Sequence, residues 1–285
     1  MDKLLELASN IEVMDVGAAF IAPDEIPPYE ALIERGIARL HAFDGDVRQT
    51  RKITERYGAS ARICSDFLFD GTKQTVYVAH PDSGMTSLLK PRDEALKFFN
   101  GFEQFGAVNS TESVDTKRLD DLDSVPNIDM LKMDIQGAEL TVLKNGVKKL
   151  SNCVAVQLEV PYVCLYHDQP TFGEIDVWMR DHGYVPHCFV DVKRWSIAPT
   201  VRNNDFRSPF NQLLESDIVY IKDPLTSKNW EAEELKKLAV ISHYCFQSVD
   251  LCVYLIIELA NRGALHSDAP DEYCRMLNST NAFRA

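Results

Sequence analysis

The segment from Ile128 to Gly146 constrains this chain more than any other. A largely apolar run from Ile128 to Ile135, broken by Lys132, stops on Asp134 and turns on Gly137. It re-enters as an amphipathic pattern with Leu140 and Leu143 three apart on one helical face, and Gly146 reads as the helix stop. Buried strand, glycine turn and helix in that order form a unit of a parallel α/β sheet. Ligands of open α/β sheets bind at the carboxyl ends of strands, which aims Asp134 at a pocket. An acid in this place also serves as the N-cap of the following helix. The segment alone leaves both roles open.

The alternation continues from residue 11 to about 190 and predicts a mostly parallel sheet built from βαβ units. Ile11 to Val16 is a strand ending in Asp15-Val16-Gly17-Ala18. A helical pattern from Glu25 to Gly36 sets Tyr29, Leu32 and Ile33 on one side. The strand from Ala38 to Phe43 ends at Asp44, Val47 to Tyr57 is a helix closed by Gly58, and the strand from Ala61 to Cys64 ends near Asp66. Asp70-Gly71 predicts a hairpin turn before an exposed strand at Thr75 to Ala79. Lys97 to Gly106 reads as one helix with Phe98, Phe102 and Phe105 on a single face, either core or the cap of a pocket. Val114 to Leu119 and Val154 to Val160 are strands, and Thr171 with Glu174 forms a capping box for a helix reaching His182, stopped by Gly183. Tyr184 to Val192 and Asp217 to Ile221 close the sheet as an antiparallel pair. Residues 1–223 thus form one domain. Residues 224–285 form a helical C-terminal extension, with the chain mobile from Ser267.

Charge and composition narrow the partners. A net charge of −13 disfavours a nucleic-acid backbone or an anionic membrane as the main partner. The seven cysteines show neither a C-x-x-C pair nor zinc spacing and fit a reducing compartment. Met1 to Asn10 lacks the basic start and apolar core of a signal peptide, and no apolar run approaches the roughly 20 residues of a membrane span. The expectation is a cytoplasmic protein, with oligomeric state undetermined.

The signature residues also carry a family resemblance. Lys132, Asp134, Gln136, Gly137, Glu139, Leu143 and, one residue later than usual, Gly146 resemble the Lys-x-Asp-x-Glu-Gly-x-Glu-x-x-x-Leu-x-Gly pattern of the FkbM family of S-adenosylmethionine-dependent methyltransferases. Gln136 stands where that pattern has Glu, which keeps size and hydrogen bonding but removes charge and basicity. Asp15-x-Gly17-Ala18 is similar to the family's first motif, whose later glycine is missing, with Phe20 near its place. Ala42-Phe43-Asp44 is similar to an Ala-Phe-Glu-Pro step, with Asp44 in the position of Glu. The resemblance covers roughly residues 10 to 222.

The resemblance implies a class I methyltransferase (Rossmann-like) three-layer α/β sandwich with a mostly parallel seven-stranded sheet and an antiparallel last strand. It implies S-adenosylmethionine as cofactor and transfer to a hydroxyl of a sugar or small secondary metabolite, so the partner is a small-molecule or glycan acceptor. Asp15, Gly17 and Ala18 would line the methionine end, Asp44 the ribose, Asp66 the adenine amine, and Asp134 the donor or the acceptor. Candidates for the base are Asp134, Glu159 and His167, and Tyr162, Tyr166 and His167 make a polar aromatic loop suited to an acceptor. The acids end different strands without a ligand set, so transfer is expected to need no metal. A nicotinamide-dependent oxidoreductase is disfavoured, since the chain has neither G-x-G-x-x-G after the first strand nor a Tyr-x-x-x-Lys pair. A non-catalytic binding module on a methyltransferase scaffold is the other alternative.

Overall fold

A computed structural model of the chain describes residues 1–19, 26–45, 47–80 and 83–279. Its elements in chain order begin with α1 (Asp2–Leu5), β1 (Ile11–Val16), α2 (Glu30–Glu34), β2 (Ala38–Phe43), α3 (Val47–Tyr57) and β3 (Ala61–Cys64). Next come β4 (Phe67–Leu68), β5 (Lys73–Val78), α4 (Asp93–Phe98), α5 (Phe102–Phe105), β6 (Ser110–Lys117), β7 (Met130–Met133) and α6 (Glu139–Lys144). The last are β8 (Ala155–Pro161), α7 (Phe172–Asp181), β9 (Tyr184–Arg194), β10 (Leu213–Lys222), α8 (Ala232–Tyr244), α9 (Val249–Asn261) and α10 (Ala269–Ser279).

Seven strands form one sheet in the order β3-β2-β1-β7-β8-β10-β9. The ladders from β3 to β8 are parallel, and β10 runs antiparallel to both of its neighbours. The strand order reverses at β1, where β2 lies on one side and β7 on the other. That is the crevice in which open α/β sheets bind ligands. The class I methyltransferase sandwich expected from the sequence is therefore the fold observed.

Period-two alternation sorts the strand residues onto two faces. Met14, Val16, Leu131, Met133, Val156 and Leu158 turn to one side, where they pack with Leu140 and Leu143 of α6 and Ile175 and Met179 of α7. Ile11, Val13, Leu40, Met130, Ala155 and Val219 turn to the other, beneath α2, α3 and the C-terminal helices. Along that second face the pattern changes toward the carboxyl ends of the strands. Asp15 stands beside Lys132, Lys132 beside Gln157, and Glu159 beside Asp217. The lower part of this face is core, and its upper edge is a row of polar side chains.

The structure corrects four local expectations. The Asp70-Gly71 turn does not join a hairpin: β4 and β5 lie on opposite sides of β6 in a separate three-stranded sheet. The helix expected from Lys97 to Gly106 is two short helices, because Gly101 takes φ +80 between them. In consequence Phe99 and Phe102 are buried while Phe98 is exposed. The helix before β2 starts at Glu30, and both Phe20 and the expected start at Glu25 lie outside the described residues. From Ala269 to Ser279 the segment expected to be mobile is the helix α10, since Ala269, Tyr273 and Leu277 fall at i, i+4 and i+8 and bury one stripe, and the rest of that segment, residues 280–285, lies outside the described residues.

The C-terminal helices share the core of the sheet. Leu235 and Leu238 of α8 and Leu255, Ile256 and Leu259 of α9 are fully buried in the same cluster as Ile11, Val13 and Ile221. Lys237 adds an ion pair to Asp129 at 2.8 Å, and Lys222 bonds Glu234. Each buried aliphatic side chain contributes roughly 1.5–3 kcal/mol, so losing five of them removes as much as the whole of a typical net stability of about 5–15 kcal/mol. A chain ended after Asp223 is therefore expected to show no cooperative thermal transition by circular dichroism. A soluble, sigmoidally melting 1–223 fragment would show that the extension is dispensable for folding.

Candidate functional site

At the switch point β7 ends on Met133, and the Asp134 N–H donates to the Val16 carbonyl at 3.0 Å, closing the ladder to β1. The chain then turns through Gln136 at φ +57 and Gly137 at φ +102 into α6. The N–H groups of Ile135 and Gly137 are taken by the Glu139 carboxylate, at 2.9 and 3.2 Å. Glu139 thus does the work of a cap for this turn. The Asp134 side chain instead lines a cavity of about 430 Å³, a size within the range of small-molecule sites.

The turn after β1 forms another wall of this cavity, with Gly17 and Ala19 lining it. The Gly17 and Ala18 N–H groups both donate to the Phe43 carbonyl, at 2.9 and 3.2 Å, which ties this turn to the end of β2. Gly17 adopts φ +78, and a Cβ there would lie 1.9 Å from the Asp134 carbonyl oxygen. Asp44 and Gly45, directly after β2, line the next part of the wall, and Asp66 and Phe67 follow. A Cβ on Gly45 would meet the Phe67 ring at 2.3 Å, so the ring lies close against that backbone. Asp66 is paired with Lys117 of β6 at 2.9 Å. Thr86 and Ser87 line the far side, with Lys132, Asp134 and Gln136 around the base.

The base carries concentrated charge. Burial, with added repulsion from Asp134, pushes the Glu139 carboxyl up to about 7. Burial and then Asp134 also push Asp217 up to about 6, with Lys193 and Lys132 opposing. Glu159 is raised well above the ordinary carboxylate range by burial first, then by Asp134 and Glu215. Lys193 bridges Glu215 at 2.8 Å and Glu159 at 3.4 Å. Burial works against the charge of Lys132, but Asp15 and Asp134 outweigh it and keep the ammonium protonated. Among the described residues, no group of three or more His, Cys, Asp or Glu side chains is arranged to hold a metal ion. No helix among them is long and apolar enough to cross a membrane.

The structure gathers Gly17, Asp44, Asp66 and Asp134 around this one cavity. Asp15 lies beneath it, 2% exposed. It accepts the Tyr29 hydroxyl at 2.6 Å and pairs with Lys132 at 3.3 Å, so it supports the floor. Ala18 is buried, with its N–H spent on Phe43. Glu159 stands behind Gln136, one hydrogen bond from Asp134's own partner. His167 is exposed and lines a separate cavity with Arg92, Cys164 and Asp168, while its neighbour Tyr166 is buried and reaches Gln136. Tyr162 accepts from Ser216 at 2.8 Å.

Sequence reasoning did not single out Phe67, although its place directly after Asp66 was a usable signal. It also did not join Gln136 to Glu159 and Tyr166, which approach only through the fold.

Comparison with known proteins matches residues 15–186 to the methyltransferase FkbM domain. No curated protein matches the chain. Among solved structures, magnesium protoporphyrin IX methyltransferase from Synechocystis PCC 6803, with S-adenosylmethionine bound, is 10% identical. That match covers 75% of this chain and 71% of the other, at a TM-score of 0.37. A TehB-like S-adenosylmethionine-dependent methyltransferase from Corynebacterium glutamicum is 10% identical over 76% of this chain and 83% of its own, at 0.33. A protein of the NADB-Rossmann superfamily from Streptococcus agalactiae is 10% identical over 98% and 94%, at 0.35.

Proposed function

The chain belongs to the FkbM family of S-adenosylmethionine-dependent methyltransferases, and from that premise we propose that it methylates a hydroxyl oxygen of a sugar or small secondary metabolite. The observation that carries the placement is the single cavity at the switch point, bordered at once by the Gly17 turn, Asp44, Asp66 and Asp134. Its residues fit the cofactor. The carboxylate of Asp44 at the end of β2 suits two ribose hydroxyls, since it accepts two hydrogen bonds. Phe67 offers a ring face, and Asp66 an acceptor, to a purine with an exocyclic amine. The turn at Gly17–Ala19 would receive the amino-acid end, and Lys132 supplies a cation near it.

When bound, S-adenosylmethionine supplies an electrophilic methyl group. The protein's part is to hold an acceptor oxygen in line and exclude water, and to take the hydroxyl proton as the bond forms. Asp134 is the base this geometry favours, because its carboxylate lines the cavity. Glu159 is buried behind Gln136 and holds its own proton more tightly than an ordinary carboxylate. That leaves the hydroxyl proton to Asp134 rather than to Glu159. His167 faces the second cavity, where a role in shaping the acceptor entrance suits it better than proton transfer.

Calorimetry with S-adenosylmethionine, followed by label transfer from a methyl-labelled donor to a panel of hydroxyl compounds, tests this reading. Binding without transfer to any hydroxyl acceptor would favour the non-catalytic module instead. Asp44→Ala is expected to weaken donor binding by about 1–3 kcal/mol, because charge-assisted hydrogen bonds to the ribose are lost. Unchanged affinity in a folded variant would remove Asp44 from the cofactor site.

A further inference from the structure

Gln136 carries more contacts than a residue in a turn requires. Its Nε2 donates to Asp134 Oδ1 at 2.9 Å and to Glu159 Oε1 at 3.0 Å. Its Oε1 accepts the Tyr166 hydroxyl at 2.9 Å, and its backbone carbonyl accepts Ser87 Oγ at 2.7 Å. These bonds hold the residue at φ +57, a conformation unfavourable for any residue with a Cβ. The orientation of the amide follows from its partners. Two carboxyl groups take the two N–H hydrogens, which turns the oxygen to the Tyr166 hydroxyl, a donor that also lies 3.3 Å from the Met85 carbonyl. One nitrogen therefore spans an acid at the end of β7 and an acid of β8, which lie at most about 6 Å apart as the sum of the two bonds.

We propose that Gln136 is a positioning residue. Its neutral amide holds Asp134 toward the methyl donor and Glu159 toward the interior, as two separate acceptors with no proton shared between them. This rests on the functional reading above only in calling the cavity the donor site. The surroundings explain why neutrality matters. Asp134 precedes Gln136 in the same turn, Glu139 comes from α6, Glu159 from β8, and Glu215 and Asp217 from β10. Against these five acids stand Lys132 of β7, already paired with Asp15, and Lys193 of β9. Tyr166 is the remaining titratable group in contact, and its hydroxyl stays protonated in this acidic setting. A carboxylate in place of the amide would be a sixth acid with no hydrogen to offer.

Two variants test the bridge. Gln136→Glu is isosteric: protonated, it can donate one hydrogen bond, and ionised, none. Gln136→Met keeps length and packing without either. Thermal unfolding would be followed at pH 5 and pH 8.5 beside the unsubstituted protein, with S-adenosylmethionine affinity measured for the unsubstituted protein and Gln136→Met. The introduced Glu has a folded-state pKa raised above its unfolded value, so its stability contribution is present at low pH and is lost as pH rises through that folded value. Gln136→Glu is expected to melt about 5 °C or more below the unsubstituted protein at pH 8.5, and by less than half that deficit at pH 5. Gln136→Met should show a similar deficit at both pH values and bind the donor about tenfold more weakly. Failure of Gln136→Glu to fold at pH 8.5 with folding at pH 5 supports the bridge, and failure at both values overturns it. Equal deficits for Gln136→Glu at the two pH values, or undiminished donor affinity in Gln136→Met, also overturn it. If the unsubstituted protein binds no S-adenosylmethionine, the functional reading fails, and the melting arm still decides the bridge.

Discussion

Replacing Asp134 by Asn is expected to lower methyl transfer by about 10²-fold or more while leaving thermal stability at or slightly above that of the unsubstituted protein. The two halves of this result have separate causes. Asn preserves the shape and still offers a carbonyl to Gln136 Nε2, now 2.9 Å from Oδ1. The turn that opens α6 is secured by Glu139, so no cap is lost. The Asp134 charge also raises Glu139, Glu159, Glu215 and Asp217, so its removal relieves repulsion with four acids. Part of that relief is returned, because Lys132 and Lys193 lose an attractive neighbour. The rate falls because the group that faces the cavity no longer accepts a proton or balances a cation. Calorimetry separates these two roles. Donor affinity falling in step with the rate identifies a binding role, and a fall in turnover alone identifies base catalysis. A fully active variant, or one that unfolds, would show that Asp134 is neither.

Much of the scaffold was legible because its signals are local. The spans of β1, β2, α3 and β3 are set by apolar runs that stop on acids or glycines, and the structure reproduces those limits. The Thr171 capping box needs only residues three apart, and it forms as read. The cavity lining was legible where one residue ends one strand, as with Asp44, Asp66 and Asp134. It was not legible where a side chain's partner lies far along the chain. The strand pattern gives no sign of the partners of Asp15, Tyr29 and Lys132, which only the fold brings to it. Tyr166 and His167 are adjacent in sequence and border the same second cavity, yet Tyr166 is buried with its hydroxyl on Gln136 while His167 is exposed. The hairpin expected at Asp70-Gly71 fails for a related reason. A turn signal at Asp70-Gly71 reports a bend but not which strand will pair, and β6 inserts between the two strands that the turn joins.

Gly17→Ala is expected to damage both stability and chemistry, because the same atoms serve both. A Cβ on residue 17 would sit 1.9 Å from the Asp134 carbonyl oxygen and 2.9 Å from its carbonyl carbon, where no flexible side chain can give way. Backbone must move. The left-handed φ of +78 adds roughly 1–2 kcal/mol for a residue with a Cβ. Separating β1 from β7 also strains the bond from Asp134 N–H to Val16, worth about 0.5–1.5 kcal/mol net. With the steric displacement added, a loss of about 3 kcal/mol lowers the melting temperature by about 6–12 °C. The displaced atoms belong to the peptide that carries Asp134 into the cavity. A shift near 1 Å in a reacting group costs on the order of 10² in rate, so activity at temperatures where the variant is still folded should fall by that factor. Donor affinity should fall with it, since Gly17 lines the same wall. Gly17→Ala with near-normal melting and donor binding would mean that β1 and β7 are free to separate at the switch point. The fixed approach of these two strands, from which the whole site is built, would then not hold.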